Sequence, residues 1–425
     1  MALPQKMEME RQVQLNALRD ESWMNFQFYL RSHPQYGSAQ QLGDIGSRLD
    51  KFWFKVQESK TKSDKLLSVA NYNSKMPIQF NSPTRKILKD LLVLIQHPYI
   101  FPITDIDFAS EQKLIIVVQQ ISPRGSLKDF IYQSHFTSNW QDKYGQRGKG
   151  LTVKQIQLFG RQILEALLFL EEKGFPSHGH IHSGNIMYSN GCCRVSAIEN
   201  AFLGFNSKLF PLVSKKIKDS KHAMDSISFG HLVFEMCTGY ELNSAHPEPS
   251  HLATCKNTEV VKLLNFIFEN EEKQYPTIQE ICEQEFFQVG PLVELEQFNP
   301  APINFSSKMK SLLKKAKKGK PVSKEQKKKL STSTDQLSYR SRASSVGTPP
   351  PGAPPQSPPP PPSVPAPPPA APLPPGGPPA PPPPPAVAVQ SPPPSSSGRS
   401  ALLGAIRQGT RLKKATTNDR SAPKV

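Results

Sequence analysis

Acidic residues almost vanish from the end of this 425-residue chain. Residues 308–425 hold 3 Asp+Glu against 20 Lys+Arg, while residues 1–307 hold 32 of each, so the whole formal charge of +17 sits in the tail. A basic tail attracts acidic protein surfaces, inner-leaflet lipid or nucleic acid. Aromatic residues are missing beside those bases, Tyr339 excepted. No nucleic-acid fold signature is present either, which makes nucleic acid the least supported partner. Cysteine is scarce and odd in number: Cys192, Cys193, Cys237, Cys255 and Cys282, irregularly spaced and without a C-x-x-C. That pattern argues against a disulfide framework and reads as reduced, mostly buried thiols. No apolar run approaches membrane-spanning length. Polar residues follow Met1-Ala2-Leu3-Pro4-Gln5, so no signal peptide is expected. The expected location is the cytoplasm, including a peripheral place at the plasma membrane.

What is present falls into two unlike parts. Residues from about Met7 to Arg31 carry a helical pattern with Trp23, Phe26, Phe28 and Tyr29, and a break follows at Pro34 and Gly37. Residues 1–40 are therefore expected to form an N-terminal helical segment. Strands are expected from about Leu42 to Asn73, around Phe52-Trp53-Phe54 and Leu66-Leu67-Ser68-Val69. A helix over Thr84–Ile95 and a buried strand at Leu114–Val118 come next. Ile156, Phe159, Ile163, Leu164, Leu167, Leu168 and Leu170 line one broad face of a helix over Gln155–Lys173, which Gly174 ends. Ala223–Thr238 is apolar nearly all round and hence buried, and helices over Val260–Phe268 and Thr277–Glu283 complete the pattern. Strands first and helices later predict an α+β class with a small β-rich lobe on a larger α lobe over residues 41–290. Order is expected to fade after Gln288. Lys308–Leu330 holds 11 Lys and one Glu, so 308–348 reads as a basic Lys/Ser-rich linker. Residues 349–395, dominated by Pro and Ala, read as disordered polyproline II.

The middle of the chain, roughly Gly43 to Phe287, resembles a protein kinase through ordered landmarks. His97-Pro98-Tyr99-Ile100 resembles the segment after the small-lobe helix, and Gly125–Asp129 the start of the helix after the hinge strand. His178-Gly179-His180-Ile181-His182-Ser183-Gly184-Asn185 aligns with the catalytic loop H-R-D-L-x-x-x-N. Asp225 and Glu235 fall on the helix whose Asp braces that loop, and Pro276 to Phe287 resembles the end of the fold.

A kinase spreads the charge of phosphoryl transfer over a strand Lys, magnesium held by carboxylates, and an Asp that orients the substrate hydroxyl. Here the orienting Asp falls on His180, the metal-binding Asp of D-F-G on Ala197, the strand Lys on Tyr72 and the helix Glu on Leu88. Asn185 alone survives. Gly43 and Gly46 do not make a G-x-G-x-x-G, and no A-P-E follows Glu199. The expectation is no catalytic residue, no metal and no cofactor, with magnesium-free ATP binding left open. The alternative is a weakly active or ATP-binding serine/threonine-kinase-like protein, with His180 as base, Glu199 on a metal, and Lys65 or Lys75 replacing the strand Lys. His178, His180 and His182 alternate as metal ligands on a strand would, but no Cys or carboxylate at suitable spacing accompanies them.

The tail ends in Arg399-Ser-Ala-Leu-Leu-Gly-Ala-Ile-Arg-Gln-Gly-Thr-Arg-Leu-Lys-Lys414. Residues 397–416 resemble a WASP-homology-2 motif, which implies binding of monomeric actin. Leu402, Leu403 and Ile406 would share one face of a short helix formed on binding, with Leu412, Lys413 and Lys414 extended beyond Gly409. Proline runs at 358–362 and 381–385 resemble profilin or SH3-type ligands. Ser344 and Ser345, with Arg340 and Arg342 before them, resemble a basophilic-kinase or 14-3-3 site. The Lys308–Leu330 run would suit anionic lipid.

The combination is similar to one family: the PX-domain-containing protein-kinase-like protein, a sodium-pump modulator, and its relative the slowpoke-channel-binding protein. The residues that carry the likeness are Gly150–Pro176, the His178–His182 loop, Glu199-Asn200 with Leu203-Gly204, and the C-terminal Arg399–Leu403 with Ser421–Lys424. It implies a kinase-like fold and a scaffold for a membrane ion transporter or channel. No PX domain is expected here, and Ala197 departs from the relative's Asp.

Overall fold

In a computed structural model, the described residues are 2–43, 45, 51–138, 140–214, 217, 223–269 and 275–322, with side chains from residue 16 onward. The expectations for Gly46, the rest of the basic linker, the proline-rich segment, and Leu402, Leu403, Ile406, Leu412, Lys413 and Lys414 lie outside them.

The small lobe is a five-stranded sheet in the order β1-β2-β3-β5-β4, from β1 (Tyr36–Leu42), β2 (Lys51–Glu58), β3 (Asp64–Asn71), β4 (Ile103–Ala109) and β5 (Leu114–Gln120), every neighbouring pair antiparallel. Alternation along the strands gives each face its own packing. Phe54, Val56, Leu67, Val69, Ile116 and Val118 are buried beneath helix α1 (Ala2–Arg31). Phe26 of α1 stacks on Phe54 with ring centroids 4.0 Å apart and is fully buried. Burying a side chain of that size contributes about 1.5–3 kcal/mol. Strand β1 starts at Tyr36, inside the segment expected to be helical, because Pro34 and Gly37 end the helix early enough for seven residues to pair with β2.

Helix α2 (Ser82–Leu94) opens on Asn81, whose side chain accepts from Thr84 N at 2.9 Å, and it packs on β4 with Leu88, Leu91 and Leu92 inward. The larger lobe is built on α3 (Val153–Glu172), the hairpin β6 (Ile186–Ser189) and β7 (Cys192–Val195), α4 (Ala223–Thr238) and α5 (Thr258–Phe268). Thr152 and Gln155 form a reciprocal cap at the start of α3. Gly160 lets α3 approach the end of the lobe: a Cβ there would lie 2.5 Å from Cε1 of Phe287. All five cysteines are free thiols, four of them buried. Among the described residues, no helix is long and apolar enough to cross a membrane.

Among the described residues, regular structure continues past Gln288 as far as residue 322. A short helix, Val293–Glu296, is followed by α6 (Ser307–Lys318), within the stretch expected to be a linker. Met309, Leu312, Leu313 and Ala316 recur at helical spacing and are buried, Ser306 accepts from Met309 N, and Gly319 leaves the helix at φ 60°. The lysines hid this period: they dominate the composition but occupy the opposite face. α6 packs against α2, and Val322 N donates to Met76 O at 3.2 Å.

Candidate functional site

The loop after α3 is held by one carboxylate from below. Asp225, in the first turn of α4, accepts from Ser177 Oγ at 2.6 Å, from His178 N at 2.8 Å and from Gly179 N at 2.6 Å. His178 Nε2 bonds Ser196 O at 2.9 Å, while its Nδ1 accepts from His180 N at 3.2 Å. That pairing makes Nε2 the protonated nitrogen. His180 is 4 % exposed and its Nε2 bonds Phe205 O at 3.2 Å. Burial, helped by the neighbouring His178 and Lys51, pushes its pKa well below the ordinary histidine value. A buried imidazole tied to a carbonyl is poorly placed to take a proton from a substrate hydroxyl. Asn185 donates from Nδ2 to His180 O at 2.9 Å, so its amide serves the loop itself. His182 Nδ1 accepts from Gly184 N at 3.1 Å. Among the described residues, no group of three His, Cys, Asp or Glu side chains is arranged to hold a metal ion.

The other residues that the sequence reading set at kinase positions are placed as follows. Leu88 is fully buried in the core that runs between the lobes. Tyr72 lies one residue past β3, 39 % exposed, with its ring 4.9 Å from that of Phe80. Ala197 is 8 % exposed and sits at φ 64°, in the left-handed region that costs an alanine about 1–2 kcal/mol. Lys65 reaches Glu58 at 3.7 Å, and Lys75 is exposed. Neither stands where a strand Lys would.

A cation does lie buried between the lobes, from a strand where the kinase pattern places none. Lys51 pairs in register with Ala70 and so shares the sheet face turned away from α1. Its Nζ lies 2.8 Å from Oε1 of Glu199, two residues past Ala197, and it faces the Phe205 ring at 5.7 Å. Both side chains of the ion pair are 2 % exposed. Glu199 Oε2 and both polar side-chain atoms of Asn200 are buried without a partner among the described residues. The Glu199 carboxylate thus neutralises the Lys51 ammonium. The signal for Lys51 was its place two residues before the inward Trp53, but its partner is 148 residues away.

A second buried cation ties the loop to α4. Lys128 Nζ lies 3.2 Å from Glu235 Oε1 and 2.9 Å from Glu241 Oε1, with the Tyr132 and Tyr144 rings each 4.9 Å away. Glu235 Oε2 accepts from Ser183 Oγ at 2.6 Å. Burial raises the Glu235 pKa while Lys128 opposes the rise. Beside the loop opens a cleft of about 610 Å³, lined by His178, His180, Phe205 and Asp225, and walled on one side by Ala316 and Lys317 of α6.

The chain is similar to several known proteins. The Slowpoke-binding protein of Drosophila melanogaster is 34 % identical over 305 residues, 67 % of this chain and 59 % of that protein. A Dictyostelium discoideum protein named a probable inactive serine/threonine-protein kinase is 32 % identical over 287 residues, 65 % of this chain and 49 % of its own. The mouse PX domain-containing protein kinase-like protein is 34 % identical over 216 residues, 50 % of this chain and 36 % of its own. The chain is a homologue of these kinase-like proteins. It spans between about a third and three fifths of the length of the curated relatives it matches. The sheet lobe followed by helices is thus a kinase-like body. The model of the WH2 motif matches residues 395–422, which contain Leu402, Leu403, Ile406, Leu412, Lys413 and Lys414.

Proposed function

We propose that the protein is a catalytically inactive kinase-like scaffold that binds monomeric actin through its WH2 motif and presents its body to a membrane channel or transporter. One observation carries the inactive reading: the carboxylate of Glu199 is engaged by Lys51 while Ala197 and His180 stand where a kinase needs acidic groups. Phosphoryl transfer depends on positioned cations and carboxylates, because electrostatic stabilisation of the transition state supplies most of the rate. A body that neutralises its own charge between its lobes keeps a shape for partners and leaves little for a substrate. The WH2 match supports the actin half of the reading. The channel half rests on a relative named for binding slowpoke. Profilin or SH3-type partners for the proline runs belong to the same reading.

Pull-down of monomeric actin by the full chain tests it. Truncating two apolar anchors of a helix-in-groove ligand typically lowers affinity by about tenfold or more. Leu403→Ala/Ile406→Ala is expected to do so. Equal capture by the variant would exclude the motif as the actin contact, and transfer of phosphate from ATP by the purified chain would overturn the inactive reading.

A further inference from the structure

Helix α6 carries seven lysines, Lys308, Lys310, Lys314, Lys315, Lys317, Lys318 and Lys320, over its length and C-terminal cap, and all are exposed. No acidic residue interrupts them between Ser307 and Lys320. None has a carboxylate partner among the described residues. In an isolated helix, like charges three and four residues apart repel. Lys310, Lys314 and Lys318 stand in such a row, as do Lys314 and Lys317. The helix is therefore held by its other face, where Met309, Leu312, Leu313 and Ala316 are buried against the body. The two faces are divided in use: the apolar one is occupied and the cationic one is open.

We infer that this docked helix is an electrostatic contact for an anionic phospholipid bilayer, made with the apolar face still seated on the body. The composition favours a lipid surface over the alternatives. The row is all lysine and no arginine. Lysine is a strongly hydrated point charge suited to a diffuse negative potential, whereas the arginine fork is the group that recognises single phosphates and carboxylates. No aromatic residue lies among the lysines to stack on a base. Because the apolar side chains are engaged, the contact differs from an amphipathic helix lying in the interface, which inserts its apolar face among the acyl chains. It holds by charge alone, and salt releases it. It also fixes an orientation: α2 and the cleft beside the catalytic-loop remnant lie next to the surface that meets the membrane.

The full chain is sedimented with vesicles of phosphatidylcholine, with and without phosphatidylserine, at low and high salt. Binding is expected only to the anionic vesicles and is expected to be lost at high salt. Lys310→Gln/Lys314→Gln/Lys318→Gln removes three charges and is expected to weaken binding by about a hundredfold. Neutralising Arg407, Lys413 and Lys414 in the tail is expected to leave most of the binding in place. An unchanged thermal midpoint and helix signal in the first variant keep the result interpretable. Equal sedimentation with both vesicle types overturns the inference. So does binding by the α6 variant equal to that of the unaltered chain, which would move the contact to the tail. Salt-resistant binding overturns the docked geometry, since the apolar face would then have left the body. Tighter binding to a duplex oligonucleotide than to anionic vesicles would make the lysines a nucleic-acid surface instead.

Discussion

Lys51 Nζ and Glu199 Oε1 lie 2.8 Å apart across the two lobes, one from the second strand of the sheet and the other two residues past Ala197. Removing one partner of a buried pair strands the other charge and costs about 3–5 kcal/mol, whereas an apolar replacement of both is often neutral or better. Lys51→Met and Glu199→Leu are each expected to lower stability by that amount in urea titration. The double variant is expected to recover most of the loss. Additive single losses would show that the pair is not coupled.

A buried lysine already paired between the lobes offers little to a triphosphate. A ligand present at a hundred times its dissociation constant stabilises by about 2.7 kcal/mol and raises the thermal midpoint by several degrees. ATP with magnesium is expected to leave the midpoint of the full chain unchanged. A magnesium-dependent rise would place nucleotide between the lobes.

Acid should weaken the body before its carboxylates protonate. Burial lowers the pKa of His97 and of His231 from 6.5 to about 4. In the unfolded chain these rings take a proton as pH falls through about 6.5, while the folded protein resists until about 4. The unfolded state therefore binds more protons within that window, and stability falls as pH drops across it. Each ring contributes a loss on the order of 3 kcal/mol by the lower end. Urea midpoints between about pH 7.5 and 4.5 measure this. His97→Gln and His231→Gln, which do not titrate, are expected to flatten the profile, and an unaltered slope in both would assign the effect elsewhere.

The seam under α6 is apolar and local. Leu312 and Leu313 are 6 % and 5 % exposed. Leu312→Ala/Leu313→Ala leaves cavities that cost about 2–5 kcal/mol each in a core. The helix is expected to detach before the rest of the body unfolds, because it closes the described chain and packs on one side only. Limited trypsin digestion is expected to cut at its lysines in the double variant, with the major thermal transition of the body retained. Resistance equal to that of the unaltered chain would mean that the seam does not hold the helix.

The sequence carried most of the scaffold. Ile156, Phe159, Ile163, Leu164 and Leu167 repeat at helical spacing, and the observed helix runs from Val153 to Glu172; Ala223–Thr238 has the bounds expected of it. Strand β4 was not read from the sequence: Ile106 and Phe108 alternate with Asp105 and Asp107, but the run is short and a register shift between Ile103 and Asp105 interrupts it. Helix α6 was missed for a related reason: composition gave lysine, and the four apolar positions beneath it count only once their period is read. The site was harder. Lys51 belongs to a strand where kinase patterns place no such residue, and its partner arrives through tertiary contact alone.

The last described residue, Val322, hydrogen-bonds Met76 near the small lobe, just after α6 has turned at Gly319. Tension arriving from the carboxyl side of the chain would therefore load this single bond first and the leucine seam next. α6 would peel or slide past α2 before the larger core bore any strain. In mechanical terms the body has a fuse, and the part it protects includes both the Lys51–Glu199 clasp and the sheet above it.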